Sequence, residues 1–528
     1  MNRRHFAQII SLATAHFLVG GCAHRPGRGR FAMEEATCAD LQAAMQSGRE
    51  SSISLTRKYL QRIAEIDRRG PRLNSVLELN PDALAIAQAL DAERKATGPR
   101  GPLHGLPVLI KDNIDTHDRM MTTAGSLALV GSFPEQDATI ARKLREAGAV
   151  ILGKTNLSEW ANFRGNRSTS GWSGRGGQTR NPYELDRNPS GSSSGSGAAV
   201  SANLCAFAIG TETDGSIVSP ASHCGIVGLK PTVGLISRAG IIPISQSQDT
   251  AGPMTRTVAD AATVLGALTG IDSRDLVTES SRGRGHRSYT QFLDANGLRG
   301  ARIGVGRKFF GSKARANVAF EAAIAVMKRA GAEIIDPADL PTHGQFGGAE
   351  QELMLYEFKA GLNAYLASLG PNAPVRSLGE VIEFNERNKN LELPYFGQET
   401  MLKAQEKGPL TEPAYLEALA TARRLAGPEG IDAVMDRHRL DAIVAPTAGP
   451  AGKIDWVHGD RGEGGSSSPA AVAGYPNITV PAGEVLGLPV GISFFGRAFS
   501  EPVLLKIAFA FEQATKARKP PRLLRDIY

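Results

Sequence analysis

Ser190-Gly-Ser-Ser-Ser-Gly-Ser196 leads, through the alanine-rich run Ala198 to Ala208, into Ile209-Gly-Thr-Glu-Thr-Asp-Gly-Ser216. The 76-residue window from Gly165 to Gly240 holds 14 glycines and 13 serines. A flexible linker can have that composition. Ordered signals interrupt this one, because the alanine run reads as helical and Ile226-Val-Gly-Leu229 is apolar. Small residues around ordered elements let backbone approach backbone, which suits the floor of an active site.

Upstream, Leu106-Pro-Val-Leu-Ile110 reads as a short buried strand that ends in Lys111-Asp-Asn113. A helix from Asp137 to Ala147 passes through Gly148 into a strand at Ala149 to Leu152. Residues 31 to 100 read as helices. Ser54 caps one whose buried face is Leu55, Tyr59, Ile63 and Ile66, and a second runs from Ala83 to Lys95 and stops at Gly98-Pro99. Downstream, residues 275 to 440 are more helical and more charged, with helices expected at Ala314 to Ala330, Glu350 to Leu369 and Glu412 to Leu425. Apolar strands return at Ala442 to Ala445, Ile478 to Val480 and Val490 to Phe495, before a last helix from Pro502 to Thr515. Alternating helices and short apolar strands indicate an α/β fold. The return to strands points to one interleaved domain over residues 31–528, with residues 275–440 as a helical cover.

Composition excludes several classes. Of 528 residues, 41% are hydrophobic, enough for a large core, so global disorder is excluded. The 59 glycines have no three-residue period, so the chain is not collagen-like. Four cysteines in this length make no disulfide framework. Cys205 and Cys224 could pair outside the cytoplasm, although the apolar setting of Cys224 favours a buried thiol. The net charge of +7 comes from 60 basic and 53 acidic residues. Residues 1 to 30 hold Arg3, Arg4, Arg25, Arg28 and Arg30 and no acid, so the remainder is nearly neutral and no nucleic-acid surface is indicated. Arg3-Arg4 followed by the apolar run from Ile9 to Gly21 resembles a twin-arginine export leader. Val19-Gly-Gly-Cys22 resembles a lipobox, which implies a lipid anchor at Cys22 and a periplasmic or membrane-anchored protein. No later stretch is long and apolar enough for a membrane-spanning helix.

Two motifs mislead. Gly148-Ala-Val-Ile-Leu-Gly-Lys-Thr155 fits the phosphate-binding pattern G-x-x-x-x-G-K-[ST], but its middle residues belong in a buried strand rather than in a loop of free N–H groups. Gly191-Ser-Ser-Ser-Gly195 fits the G-x-S-x-G nucleophile elbow, yet no strand precedes it, and His223, His286, His343, His438 and His458 all lie in unpromising settings. No zinc-binding pattern appears, so neither a metal nor another cofactor is expected.

The remaining constellation has a precedent. Leu109-Ile-Lys-Asp-Asn113, Ser190 to Ser196, Ala208 to Ser216 and Cys224-Gly-Ile-Val-Gly-Leu-Lys-Pro-Thr232 resemble the amidase signature family, and Gly153-Lys-Thr-Asn156, Pro446-Thr447 and Gly474-Tyr-Pro476 match further positions of it. The resemblance covers about residues 35 to 515. Glu159-Trp-Ala-Asn-Phe-Arg164, Gly176-Gly-Gln-Thr-Arg-Asn-Pro182, Gly240-Ile-Ile-Pro-Ile244 and Glu357-Phe-Lys-Ala360 are similar to its bacterial peptide amidase subgroup. Ser190 and Asp214 stand where glycine is common in the family, and both changes recur in that subgroup.

The resemblance implies a large mixed β-sheet covered by helices on both faces. It implies Ser216 as nucleophile, Ser192 as bridging serine, Lys111 as base, and backbone N–H groups of Thr213, Asp214 and Gly215, with Ser216 itself, as an oxyanion hole. It also implies a cis peptide bond entering Ser192. The chemistry is coherent. A serine hydroxyl needs a base as it attacks an amide, and lysine serves only when neutral, which burial favours. A bridging hydroxyl can accept one proton while donating another. Each oxyanion donor is worth roughly 2.7–4 kcal/mol in other enzymes. The expected reaction is ammonia release from carboxamides, with peptide C-terminal amides the favoured class. The alternatives are a broad amidase or aryl-acylamidase acting on small amides, and an exported amide-binding protein without turnover, which the intact Lys111, Ser192 and Ser216 disfavour. The A subunit of the tRNA-dependent amidotransferase is disfavoured by the leader, because charged tRNA is cytoplasmic.

Overall fold

Every residue of the strands Pro107–Lys111 and Val150–Thr155 is buried. Successive strand residues point to opposite faces, so both faces of the sheet are covered at this point. The structure, a computed structural model, describes residues 32–371, 373–461 and 465–525. The leader and the anchor expected at Cys22 lie outside the described residues. In chain order the strands are β1 (Val76–Leu79), β2 (Pro107–Lys111), β3 (Val150–Thr155), β4 (Trp172–Ser173), β5 (Gly177–Gln178), β6 (Ala208–Glu212), β7 (Val227–Lys230), β8 (Thr250–Thr255), β9 (Arg302–Val305), β10 (Glu333–Ile335), β11 (Ala442–Pro446), β12 (Asn477–Val485) and β13 (Leu488–Phe495).

Eleven of these form one sheet in the order β1-β3-β2-β6-β8-β7-β12-β13-β11-β9-β10, while β4 and β5 pair separately. The sheet is mixed. β2 runs parallel to both β3 and β6, β9 runs parallel to both β10 and β11, and the remaining pairs are antiparallel. The register Leu109↔Ala208 and Ile110↔Ile209 sets the C-terminal ends of β2 and β6 side by side. Lys111 therefore emerges next to Thr211.

Most expected elements are present with shifted edges, but residues 31–100 are not all helical, because they also hold the strand β1, and Ile63 and Ile66 fall in a π-helical turn, Ile63–Arg69. The helix read around Ser54 spans Ser52–Arg62, and its cap is Ser51. Ser51 accepts the Ser54 N–H at 3.2 Å, and the Ser54 hydroxyl accepts the Ser51 N–H at 2.8 Å. The alanine-rich segment is not one helix to Ala208. The helix occupies Ser194–Ser201, starting inside the serine run, and Asn203 then turns left-handed (φ 57°) before β6. Residues 275–440 hold helices at Ala314–Arg329, Gly347–Ser368 and Pro413–Ala426, but they also supply β9 and β10 to the sheet edge. A four-residue and a three-residue strand are too short to show a period. The helix Gly347–Ser368 packs Phe358, Leu362 and Leu366 in a separate apolar cluster with Trp160 and Ile242.

Gly148–Thr155 is no phosphate loop, since its last six residues are β3. Lys154 is buried within the fold and donates to the Ile114 carbonyl at 2.6 Å and the Thr122 hydroxyl at 2.8 Å. Cys38, Cys205 and Cys224 are buried free thiols.

Candidate active site

Lys111 ends β2 fully buried. Its Nζ lies 2.8 Å from Ser192 Oγ, 2.8 Å from Thr211 Oγ1 and 3.3 Å from the Thr211 carbonyl. Asn113, two residues on, donates from Nδ2 to the same Thr211 hydroxyl at 3.0 Å. Burial pulls the lysine down to about 7, against the opposing pull of Asp249 and Glu212. The contacts suit the neutral amine. Its two hydrogens match the two Thr211 oxygens, and its lone pair is left for the hydroxyl proton of Ser192.

Ser192 lies two residues before the helix Ser194–Ser201, and the peptide bond entering it is cis. Its carbonyl accepts the Ser158 N–H at 3.1 Å. A side chain at Gly191 would collide with Ser158 Oγ, so only glycine lets the loop lie this close. The next residue links the two loops, because the Ser193 N–H donates to the Ser216 carbonyl at 3.1 Å and Ser193 Oγ donates to the Thr211 carbonyl at 3.0 Å.

The segment after β6 turns sharply at Gly215 (φ 77°). Glu212 anchors the far side of this turn, accepting the N–H groups of Ile217 at 2.7 Å and Val218 at 3.0 Å on one oxygen. Burial holds its carboxyl above the usual range, with Lys230 pulling the other way. The backbone N–H groups of Thr213, Asp214, Gly215 and Ser216 have no acceptor among the described residues. Four such donors in one buried turn are exceptional in a folded protein and form a ready site for an oxygen bearing negative charge. Ser216 is 8% exposed, so it is shielded but reachable.

Asp249 braces this turn. It accepts the Thr213 hydroxyl at 2.6 Å and the N–H groups of Ile244 at 2.8 Å and Ser245 at 2.9 Å, and burial pushes it up to about 6. Asp214 accepts the Ser468 hydroxyl at 2.6 Å. Among the described residues no group of His, Cys, Asp and Glu side chains is arranged to hold a metal ion.

The structure thus gathers Lys111 and Ser192 in direct contact and brings Ser216 with Thr213, Asp214 and Gly215 onto the adjoining turn. Thr211, Asn113, Glu212 and Asp249 join the site beyond the residues the sequence points to. The first three lie inside the family motifs. Asn113 lies in the turn just after β2, so strand alternation does not place it, and its motif is the local signal for it. Asp249 sits in no motif, and only the fold brings it near.

The sequence pattern of the Amidase family matches residues 54–505. The native peptide amidase of Stenotrophomonas maltophilia is 56% identical, with a TM-score of 0.89 over 93% of this chain and 99% of that one. The peptide amidase PAM, solved with the competitive inhibitor chymostatin, is also 56% identical, with a TM-score of 0.91 over 93% of this chain and 100% of that one. A protein of Arabidopsis thaliana named as a probable amidase is 44% identical over 94% of this chain and 93% of its own length. Motif order, sheet topology and likeness along nearly the whole chain agree, and the chain belongs to the amidase signature family as an amide hydrolase.

Proposed function

We propose that the protein hydrolyses the C-terminal carboxamide of peptides through Lys111, Ser192 and Ser216. The observation that carries the reading is the fully buried Lys111 amine, 2.8 Å from Ser192 Oγ. Ser216 Oγ attacks the amide carbon while its proton passes to Ser192 and the Ser192 proton passes to Lys111. The carbonyl oxygen gains negative charge facing the N–H groups of the 213–216 turn. The same relay, run backwards, protonates the departing nitrogen, and ammonia leaves an acyl ester on Ser216. Water then attacks that ester with Lys111 again accepting the proton through Ser192, which releases the peptide acid and regenerates the serine.

Peptide amides are favoured over simple amides by the likeness to peptide amidases over nearly the full chain. The test is ammonia release from a panel of peptide amides, free peptides and simple aliphatic and aryl amides, with Ser216→Ala as control. Turnover of simple amides alone would favour the broad amidase or aryl-acylamidase, and binding without ammonia release would favour a non-catalytic binder. Arg3-Arg4 and the lipobox-like Val19 to Cys22 support export as part of the same proposal. Mass spectrometry of the membrane fraction tests it, and an unmodified chain starting at Met1 would sink it.

A further inference from the structure

Three successive residues of the Glu159-Trp-Ala-Asn-Phe-Arg164 stretch are left-handed without being glycine. Trp160 has φ 50° and ψ 35°, Ala161 has φ 53° and ψ 37°, and Asn162 has φ 71°. Each conformation crowds Cβ against the following carbonyl, and a run of three persists only where the surroundings dictate it. Here each position is held. The Trp160 N–H donates to the Ala124 carbonyl at 3.0 Å, and the Trp160 ring is buried in the cluster with Phe163 and Phe358. Asn162 donates to Ser170 Oγ at 2.9 Å and accepts from Ser168 Oγ at 2.9 Å. Arg164, fully buried, binds Glu159 at 2.5 Å and the carbonyls of Glu392 at 2.6 Å and Phe396 at 3.1 Å. The Ala161 methyl makes no hydrogen bond and packs, partly buried, against the same apolar cluster. On its other side it lines a cavity of about 200 Å³.

That cavity reaches Ser192 and Thr213, and its other wall is apolar, formed by Ile241, Ile242 and Ile244. The charges at its rim are already committed. Arg238 binds Asp275 through Nε at 2.9 Å and Nη2 at 2.6 Å, Arg274 lies 3.8 Å from the Asp272 carboxylate and donates to the Thr139 hydroxyl at 2.6 Å, and Asp249 is occupied by Thr213, Ile244 and Ser245. A charged side chain entering the cavity would lose water and gain no partner, whereas an apolar one loses nothing.

We propose that Ala161 is a specificity-determining residue, its methyl on the left-handed turn setting the depth of the cavity that receives the uncharged side chain next to the scissile carboxamide. This rests on the amide-hydrolase reading of Lys111, Ser192 and Ser216. The class of substrate is then a carboxamide whose neighbouring side chain is aliphatic or aromatic, from leucine to phenylalanine in size.

The test uses Ala161→Asn and Ala161→Gly, because both residues accept the left-handed conformation. kcat/KM is measured for one peptide series ending in glycinamide, leucinamide, phenylalaninamide and glutamic acid amide, and for acetamide against phenylacetamide. In A161N the phenylalaninamide-to-glycinamide ratio should fall roughly tenfold or more, the scale on which a pocket reads one or two extra heavy atoms. In A161G the same ratio should rise, and in wild type the glutamic acid amide should be the poorest of the long side chains. A ratio that A161N leaves within threefold of wild type overturns the proposal, as does an equal loss on every substrate, which marks the turn as merely structural. If wild type cleaves no peptide amide, the peptide reading fails. The phenylacetamide-to-acetamide ratio then decides the role of Ala161 by the same criterion.

Discussion

Raising the pH through 7 should switch this enzyme on, and Lys111→Ala should remove the switch. Burial brings the Lys111 ammonium from its ordinary 10.5 down to about 7. At pH 7 about half of the protein then carries the neutral amine, whereas an ordinary lysine is neutral in roughly one molecule in 3,000. Burial thus supplies on the order of 10³-fold more neutral amine at neutral pH. In the proposed mechanism the neutral form is the active one, so kcat/KM should climb about tenfold per pH unit below 7 and level off above it. The cost appears in stability. A lysine whose folded pKa is depressed binds fewer protons folded than unfolded between about 7 and 10.5. Its penalty is therefore in full force below 7 and is relieved as the pH rises to 10.5, by up to about 5 kcal/mol. The assay is initial-rate ammonia release from a peptide amide between pH 5 and 9.5, in constant-ionic-strength buffers. K111A should lose about 10²–10⁴-fold in kcat together with the rising limb. A small primary amine in the buffer should restore part of the rate. A wild-type profile that is flat from pH 6 to 8, or a K111A enzyme that keeps the limb, would refute the role given to this buried amine.

Asp249 pulls Lys111 upward, so Asp249→Asn should move the rising limb to lower pH; an upward move in the same assay contradicts the electrostatics. Thr211→Val removes the oxygen that accepts from both Lys111 and Asn113. It should cost about 1–3 kcal/mol in urea unfolding, with a fall in kcat larger than any change in KM. Gly215→Ala places a left-handed alanine whose Cβ lies 3.0 Å from Ser467 Oγ. We expect about 1–2 kcal/mol of lost stability by thermal denaturation, and a lower kcat as the donor turn distorts. Arg164→Met strands the buried Glu159 carboxylate and should destabilise the fold by about 3–5 kcal/mol, read from the urea midpoint.

Much of this arrangement is legible in the sequence alone. Apolar runs long enough to be buried on both faces, such as Leu106 to Ile110 and Ala149 to Leu152, mark strands in the sheet's interior, because burial writes itself into composition. β8 is not legible. Thr250-Ala-Gly-Pro-Met-Thr255 carries the glycine and proline that ordinarily argue against a strand, and it becomes one only because β6 and β7 flank it. The same limit applies at the site. Lys111, Ser192 and Ser216 stand in family motifs, but nothing local says that Thr211 would hold the lysine. That contact depends on the β2–β6 register, a long-range fact. Asp249 is further still from local inference, since its meaning comes wholly from the turn packed against it.

The helical cover explains why the 213–216 turn can stay fixed. One helix, Gly347–Ser368, sends three polar side chains into the core. Glu350 accepts from Gln248 at 3.0 Å beside Asp214, Glu357 accepts the Ser247 hydroxyl at 2.6 Å and the Tyr415 hydroxyl at 2.9 Å, and Tyr365 donates to Asp115 at 2.8 Å. Each target adjoins a segment of the site. Asp214 stands two residues before Ser216, Ser247 two before Asp249, and Asp115 two after Asn113. Burial first, and Asp214 second, hold the Glu350 carboxyl well above its usual range, so at neutral pH it keeps its proton and two buried carboxyls can lie together without repulsion. Burial likewise lifts Asp115 to about 7. Moving the helix away would leave these buried groups without partners, at a cost of about 1–3 kcal/mol each. Several such ties acting together outweigh any single contact the substrate could offer in exchange. The 213–216 turn is therefore held in place before substrate arrives, as the proposed stabilisation of a developing oxyanion requires.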